Sequence, residues 1–295
     1  MSVAGHGGPD PARGIRPAVP LDQPDRCELL ALVDEDPYVN AVVAARLRST
    51  SSLRPAALGG TVVGVRDRGG RLRAAALSAG NLQPIGGGPR EWAALADHLV
   101  AQPRVCSSIV GRAEAVTTMW QVLGAAWGVP RAVRVAQPLL TISRGDAVPP
   151  GDARVRPIRT ADLERYLPAS VAMFTEELGV SPVQSAGAAA DYRRRVAGLI
   201  AAGRAFGILD EAGSVVFKAD LGTVSAHTCQ IQGVWVRPDV RGRGLATAAM
   251  ARVLRHALEL APTASLYVND FNTPARRLYA RLGMTEVAVL STVLF

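Results

Sequence analysis

The segment VRGRGLATAAM (240–250) carries the residue types of a phosphate-binding turn. Glycines alternate with arginines ahead of an alanine-rich helix, directly after the apolar strand segment CQIQGVWVRP (229–238). A glycine-rich turn at a helix N-terminus gathers free backbone N–H groups at the positive end of the helix dipole. The glycines let the backbone approach a ligand, and Arg241 and Arg243 add charge and forked donors. The segment therefore predicts a site for a phosphate or a pyrophosphate.

Three known phosphate-binding patterns can be compared with this turn. A Walker loop requires a Gly-Lys-Ser/Thr run, but the only lysine of the chain is Lys218. A dinucleotide-binding fingerprint requires a third glycine, and Thr247 stands at that position. The acyl-CoA pattern R/Q-x-x-G-x-G/A is filled by Arg241, Gly244 and Ala246. An ordinary turn between a strand and a helix is the alternative interpretation of this motif taken alone.

A second motif follows in SLYVNDFNTPARRLYARLGM (265–284), which combines a strand, asparagines at its end and a short helix that carries Tyr279. In this order and at this separation, the two motifs resemble the GNAT superfamily of acyl-CoA-dependent N-acyltransferases, over about residues 155–295. The resemblance implies a sheet that splays apart between the strands at 229–236 and 264–269, with the pantetheine arm in the cleft. It also implies a tandem arrangement, in which a degenerate N-terminal domain precedes the transferase domain.

The resemblance assigns acetyl-CoA, used as a co-substrate, to a defined set of residues. Backbone N–H groups near Val234, Trp235 and Val236 would hold the pantetheine and polarise the thioester carbonyl. The turn at 241–247 would hold the pyrophosphate, and two asparagines would supply side-chain amides near the pantetheine. The whole set of predicted cofactor-binding residues is Val234, Trp235, Val236, Arg241, Gly242, Arg243, Gly244, Leu245, Ala246, Thr247, Asn269, Asn272, Ala275, Arg277 and Tyr279.

The resemblance also implies a general acid. Tyr279 matches the superfamily tyrosine that protonates the departing thiolate. A phenol suits this role because it is protonated at neutral pH and can form a short hydrogen bond to sulfur. A tyrosine packed in a helix without a catalytic role is the alternative.

The general base is left open by the sequence. A primary amine with a pKa of about 10.4 is a free base in only about one part in 2,500 at pH 7, so a base would help. Many relatives place a glutamate on the strand before the turn, but Gln230 and Gln232 stand there, and glutamine cannot act as a base. We predict Glu176 and Glu177 as substitutes, with a solvated pair at a helix end as the alternative. Further candidates are a chain of water molecules, Asp220, His227 and the C-terminal carboxylate of Phe295.

The elements that position these residues follow from periodicity and turn signals. They predict a mixed α/β fold of the α+β type, with two GNAT-like domains, each a central mixed β-sheet with helices on both faces. In the C-terminal half we expect strands at 153–159, 229–238 and 264–270, a last strand or hairpin at 285–295, helices at 160–178, 191–203, 247–260 and 273–283, and a hairpin at 204–224.

The N-terminal half repeats this order weakly. Aligning the Leu-Gly pair at 123–124 on the pair at 282–283 places Trp120 at the position of Tyr279, and Ala113 and Val110 at the positions of the two asparagines. We therefore expect the same fold without turnover, in a half that shapes the acceptor site or binds a ligand passively. The predicted organisation is a disordered tail at 1–24, this domain at 25–145, a linker at 146–154 and the catalytic domain at 155–295.

Composition limits the remaining functions. The net charge is +8, but 32 of the 33 basic residues are scattered arginines, so no nucleic-acid partner is expected. The cysteines and histidines lack ligand spacing, which predicts no metal, and no apolar run is long enough to predict a membrane span. Because the N-terminal segment also lacks the apolar stretch of a signal peptide, we expect a cytoplasmic protein.

The sequence predicts an N-acetyltransferase that moves an acetyl group from acetyl-CoA to a primary amine by direct attack in a ternary complex. The acceptor would be a small molecule, a protein lysine or an N-terminal amine. The alternative is a non-catalytic acyl-CoA-binding sensor or scaffold, which the glutamines at 230 and 232 would suit.

Overall fold

The computed structural model describes residues 14–295, which form two compact units. Unit 1 contains the chain up to Pro138 together with Ala288–Phe295, and unit 2 is Leu139–Val287. None of the helices in residues 14–295 combines the length and apolar character needed to cross a membrane.

The first six strands and five helices follow one another through the N-terminal half. In chain order they are β1 (Val19–Pro20), α1 (Arg26–Asp34), α2 (Ala41–Arg48), α3 (Pro55–Leu58), β2 (Thr61–Arg66), β3 (Leu72–Ser78), β4 (Asn81–Gly86), α4 (Pro89–Val100), β5 (Ser108–Arg112), α5 (Ala113–Trp127) and β6 (Ala132–Ser143).

The C-terminal half supplies the remaining strands and helices. They are β7 (Arg156–Pro157), α6 (Leu163–Leu178), α7 (Ala186–Ala201), β8 (Ala205–Leu209), β9 (Val215–Val224), β10 (Thr228–Val236), α8 (Leu245–Leu260), β11 (Thr263–Tyr267), α9 (Thr273–Arg281) and β12 (Thr285–Leu294).

Unit 2 has a mixed sheet in the order β6-β11-β10-β9-β8-β7, in which β10 and β11 are parallel. Alternate residues of its strands point to opposite faces. Phe206 of β8 packs in one apolar cluster with Leu254 of α8, whereas the adjacent Ala205 packs in another with Tyr166 of α6. Helices therefore cover both faces.

Unit 1 follows the same plan, with the sheet order β1-β2-β3-β4-β5-β12-β6 and parallel pairing of β4 with β5. Val63 of β2 packs with Leu95 of α4, whereas the adjacent Val62 packs with Leu29 of α1 on the other face. A mixed sheet between two helical layers is thus present in each unit, and the predicted fold class is confirmed.

The two units take their last strands from distant parts of the chain. Residues 290–294 of β12 pair with β5 in unit 1, and residues 139–143 of β6 pair with β11 in unit 2. The predicted strand at 285–295 therefore exists, but its main part serves unit 1. The domain limits at 145 and 155 stay a prediction about how the chain divides.

The predicted disordered tail at 1–24 needs a correction. Residues 1–13 lie outside the described part of the chain. From residue 15 the tail is ordered: Ile15 pairs with Asp67, β1 pairs with β2, and Ala18 and Leu21 are only 8% and 5% exposed. The glycine and proline content suggested disorder, but β1 extends the unit 1 sheet, and Ala18 and Leu21 are buried in two of its apolar clusters.

Candidate active site

The cleft of unit 2 begins where β10 and β11 stop pairing. The two parallel strands pair only from Thr228 to Gln230, opposite Thr263 to Ser265. At the root of the cleft, the buried Thr228 hydroxyl donates to the Ser265 hydroxyl at 2.9 Å. β10 then continues to Val236 with no pairing partner in β11. This geometry agrees with the splay that the superfamily resemblance implies.

A bulge in β10 turns its backbone toward the cleft. The β9–β10 register shifts between Gln232 and Trp235, where Gly233 has a φ of +60°. Trp235 then pairs with β9, and the Arg237 N–H donates to the Val216 carbonyl of β9 at 3.0 Å. Because N–H groups alternate along a strand, the amides on either side of Trp235 face the unpaired edge.

Of the three strand amides predicted to hold pantetheine, those of Val234 and Val236 therefore point the right way. The pairing of Trp235 with Lys218 directs its own amide toward β9 instead. Its role as a pantetheine donor stays a prediction that this register does not favour.

The turn before α8 leaves a run of backbone N–H groups without partners. Gly242 and Gly244 have φ values of +75° and +79°, and Gly244 is the N-cap of α8. Within the described residues, no acceptor meets the amides of residues 242–246, whereas the Thr247 N–H donates to the Gly244 carbonyl at 3.2 Å. A Cβ at either glycine would meet no atom within 4 Å, so the space over the turn is open.

These features fit an anion. The first turn of α8 presents the N–H groups of Leu245 and Ala246 at the positive end of a helix of 16 residues. Arg243 is exposed beside it. The other predicted arginine, Arg241, is already engaged: its Nε donates to the Val236 carbonyl at 2.8 Å, and its Nη2 donates to a carboxylate at 2.7 Å.

That carboxylate is Glu176, near the C-terminal end of α6. Its Oε2 accepts the bond from Arg241, and its Oε1 accepts from the Trp235 indole N–H at 3.0 Å. Although partial burial raises its pKa, these two hydrogen bonds outweigh the burial and lower the pKa of Glu176 below the usual range. A carboxylate with a depressed pKa and two occupied oxygens is a weak proton acceptor, so Glu176 fits a positioning role better than that of a base.

Tyr279 lies on α9, buried to 6% exposure in the apolar cluster that also contacts Val234 and Val236. Its hydroxyl makes no hydrogen bond to any residue in 14–295 that the structure records. Burial first, and then the negative charge of Glu177, raise the pKa of Tyr279 above the ordinary value of 10. Tyr279 therefore stays protonated at neutral pH, as a general acid must, and Glu177 is close enough to act on it electrostatically.

The other predicted cofactor residues lie on or before α9. Asn272 is the N-cap of α9, and its Oδ1 accepts from the Ala275 N–H at 3.2 Å. Its amide nitrogen, which makes no hydrogen bond recorded among residues 14–295, is left to meet a ligand. Asn269 is half-buried just after β11, Ala275 packs on the unit 2 core, and Arg277 is exposed. Their predicted roles are not tested by these positions.

A charged cluster beneath the bulge was not predicted. Lys218 is fully buried, and its Nζ donates to Asp220 Oδ2 at 2.6 Å and to the Gly233 carbonyl at 3.1 Å. The Tyr166 hydroxyl donates to the other oxygen of Asp220 at 2.7 Å. One signal was present in the sequence: VVFKADL places opposite charges two residues apart, on one face of an otherwise apolar strand.

The three further candidates for the general base, Asp220, His227 and Phe295, have different surroundings. Both oxygens of Asp220 are held in this cluster. His227 lies in the turn before β10, so about six residues of extended chain, roughly 20 Å, separate it from the bulge at Gly233. Phe295 belongs to unit 1, where its ring packs against Trp120 and Trp127. Residues 14–295 contain no group of three or more His, Cys, Asp or Glu side chains placed to hold a metal ion.

Two parallel strands of unit 1 also separate after a short paired segment, but different residues line the gap between them. β4 and β5 pair at only two positions, starting from Asn81 opposite Ser108, before they separate. Gly86 has a φ of +59°, as the bulge glycine of unit 2 has, but α4 begins at Pro89, so no strand segment follows the glycine. Pro84 faces the gap without an N–H, and a Cβ on Gly111 of β5 would come within 2.9 Å of it.

The glycine-rich turn of unit 1 is closed by its own side chains. The Gly88 N–H donates to the Glu91 carboxylate at 3.0 Å, which puts a negative charge where an anion would bind. The Trp92 indole N–H donates to the Gly86 carbonyl at 2.7 Å, and Cβ atoms at Gly86 and Gly87 would clash with Leu32 and Ala74. The turn before α4 is therefore closed, unlike the turn before α8.

Comparison with known proteins agrees with this geometry. Residues 165–284 match the family described as Acetyltransferase (GNAT) family, and residues 60–166 match Domain of unknown function (DUF4081). No curated protein matches the sequence at a significant level.

Solved structures of GNAT proteins share the fold along almost the whole chain. An acetyltransferase from the GNAT family of Colwellia psychrerythraea has a TM-score of 0.58 at 12% identity, covering 95% of this chain and 100% of its own. A GCN5-related N-acetyltransferase from Sphaerobacter thermophilus has a TM-score of 0.55 at 19% identity, covering 97% and 96%. A tandem GNAT protein from the clavulanic acid biosynthesis pathway has a TM-score of 0.53 at 18% identity, covering 95% and 98%. The predicted resemblance to the GNAT superfamily is confirmed over residues 165–284, and residues 60–166 match a different family model.

Proposed function

From the match of residues 165–284 to an acetyltransferase family, we propose that unit 2 transfers an acetyl group from acetyl-CoA to a primary amine. The observation that carries the proposal is the open turn before α8. The unpartnered amides of residues 242–246 converge at a helix N-terminus, next to the unpaired edge of β10. A diphosphate would satisfy these donors, and a pantetheine chain could then run along the cleft edge.

The proposed reaction is a direct displacement on the thioester. The amine nitrogen attacks the carbonyl carbon and forms the C–N bond, the C–S bond breaks, and the sulfur leaves with the bonding pair. The amides of Val234 and Val236 would stabilise negative charge on the carbonyl oxygen. The Tyr279 hydroxyl would give its proton to the departing thiolate, and water would later restore that proton.

The attacking amine must also lose a proton. Glu177 is exposed, and its charge acts on Tyr279, which supports a role for Glu177 near the leaving group. Glu176 is held by Trp235 and Arg241. We therefore propose that Glu177, or water ordered by it, takes the proton, and that Glu176 fixes Arg241.

Incubation with acetyl-CoA and a panel of amines tests the proposal, with free thiol measured as it is released and acetylated products identified by mass spectrometry. Amine-dependent thiol release that matches the acetylated product supports it. Binding of acetyl-CoA without release for any amine class would instead indicate the non-catalytic sensor or scaffold.

Acetylation of the protein's own lysines should not interfere with this assay. Its single lysine, Lys218, is fully buried in an ion pair, so surface lysines cannot become acetylated and consume the reagent. A matched control is Gly88→Asp, which places the same residue in the turn of unit 1. Retained turnover in this variant and lost turnover in Gly244→Asp would locate the reaction in unit 2.

A further inference from the structure

Lys218 is buried beneath the bulge of β10 although the rest of the chain uses arginine for its positive charges. It is the only lysine among 33 basic residues. Its side chain has 0% exposure and that of its partner Asp220 has 8%. Removing two charges from water is costly, and apolar replacements of buried ion pairs are often as stable or more so. Stability alone therefore gives little reason for this pair.

The geometry of the contact explains why a lysine is required. The ammonium has three tetrahedral donors, and two of them meet Asp220 Oδ2 at 2.6 Å and the Gly233 carbonyl at 3.1 Å. The ammonium also lies 5.2 Å from the centre of the Tyr166 ring. A guanidinium is planar and larger, so an arginine would need more room than this enclosed cluster gives to the compact ammonium.

Gly233 is confined by the same cluster. A Cβ at this position would lie 3.0 Å from the Lys218 Nζ, the Asp220 Oδ2 and the Met173 Cε. The φ of +60° also favours glycine. The ion pair and the bulge are thus fitted to each other.

The bond to the Gly233 carbonyl sets the direction of the next amide. In a trans peptide the C=O and the following N–H lie in one plane and point in opposite directions. With the Gly233 carbonyl held toward Lys218, the Val234 N–H must point away from the charged cluster, toward the unpaired edge of β10. The ammonium beside the Gly233 carbonyl oxygen also polarises the peptide bond, which makes the Val234 N–H a stronger hydrogen-bond donor.

We propose that Lys218 is a positioning residue for acyl transfer: its buried ammonium, held by Asp220, orients and polarises the Gly233–Val234 peptide so that its N–H meets the thioester oxygen. The inference rests on the proposed function. Lys218 itself touches no reacting atom.

The variant that tests this is Lys218→Met combined with Asp220→Asn, because the double change leaves no lone buried charge. In the folded double variant we expect kcat to fall about 10-fold to 100-fold, with the Kd for acetyl-CoA changed by less than about threefold. Tyr166→Phe is the matched control, since it perturbs the same cluster but leaves the bond from Lys218 to Gly233. We expect it to keep kcat within about twofold of the unmodified protein.

Isotope labelling reports directly on the Gly233–Val234 peptide through the signal of its amide. Glycine labelled at the carbonyl carbon and valine labelled at nitrogen together select Gly–Val peptides, of which the chain has four, at Gly64, Gly128, Gly179 and Gly233. The Val234 amide signal should move in the double variant, while the other three signals stay in place. An unmoved Val234 signal, or turnover within twofold of normal in the folded double variant, would overturn the inference.

A second measurement needs no variant. Lysine labelled with ¹⁵N at Nζ gives one signal because Lys218 is the only lysine. Saturating acetyl-CoA should shift this signal, since a bond to the Val234 N–H alters the carbonyl of the same peptide, and a bound cofactor that leaves it unshifted contradicts the inference. An unmodified protein that neither binds nor consumes acetyl-CoA would refute the proposed function instead, and the Val234 signal alone would then decide whether Lys218 orients the peptide.

Discussion

Replacement of Tyr279 by phenylalanine separates the chemistry of this residue from its packing. The side chain is only 6% exposed, but its hydroxyl has no hydrogen-bond partner recorded among residues 14–295. Phe therefore keeps the buried ring and loses no internal hydrogen bond, so we expect the free energy of unfolding to change by less than about 1 kcal/mol. The stability of the variant is thus no obstacle to measuring its activity.

The effect on turnover should be much larger. General acid catalysis typically contributes 10²–10⁴-fold, and a thiol of pKa about 8.5 leaves easily enough to place this case at the low end. We expect kcat in Tyr279→Phe to fall about 100-fold, equivalent to about 2.7 kcal/mol in the barrier, with the Kd for acetyl-CoA nearly unchanged. Steady-state thiol release and calorimetric titration measure the two quantities.

The pH dependence gives a second test of the same residue. Burial and the charge of Glu177 raise the pKa of Tyr279, so the acid stays protonated and causes no loss of kcat below about pH 10. Tyr38→Phe, which removes the same atom from unit 1, should leave both constants unchanged. Tyr279→Phe with normal kcat and weakened binding would refute the assignment of the acid.

Three further outcomes follow from the site and from the packing of unit 2. Gly244→Asp should raise the Kd for acetyl-CoA at least about 100-fold in calorimetry, because it opposes the pyrophosphate and strains a φ of +79°, whereas Gly244→Ala adds strain only and should cost about tenfold. Glu177→Gln should lower kcat/KM more than Glu176→Gln, because Glu177 is the proposed proton acceptor and the bonds from Trp235 and Arg241 lower the pKa of Glu176; equal losses would contradict this division of roles. The Asp162 carboxylate accepts a hydrogen bond from Arg156 at 2.7 Å, and this bond is the main reason why the pKa of Asp162 is lowered. The stabilisation that the bond gives to the fold is therefore complete above about pH 5 and is lost as pH falls through the lowered pKa. Urea unfolding of Asp162→Asn should show a loss of about 1–2 kcal/mol at pH 7 and almost none near pH 2, and an equal loss at both would show that the charge is irrelevant.

Local signals predicted most of unit 2 well. The helix expected at 247–260 forms at Leu245–Leu260, and the strand expected at 229–238 forms at Thr228–Val236. The helix expected at 191–203 begins five residues earlier, where the Ser185 hydroxyl accepts from the Ala188 N–H and starts the helix. The strand expected at 153–159 is reduced to Arg156–Pro157, because its proline cannot donate to a sheet.

Long-range pairing was beyond these signals. Periodicity indicated a strand at the C-terminus but not that residues 290–294 pair with β5, about 180 residues earlier in the chain. Likewise, the composition of residues 15–24 resembles a linker, and only their burial against β2 makes them part of unit 1. An apolar side chain shows that it will be buried, not which surface will bury it.

The sequence by itself determined the family resemblance, the layered fold and the open glycine-rich turn before α8, because a glycine at positive φ, a helix start and free N–H groups are set by neighbours along the chain. Only the tertiary structure decided what each charge meets. Arg241 contacts Glu176 of another helix, the oxygen of Asn272 caps its own helix, and Lys218 holds the Gly233 carbonyl of the adjacent strand. The first and third contacts join residues that lie far apart in the sequence, and the second depends on how the backbone directs the Asn272 side chain. The spacing of residue types therefore could not predict these contacts.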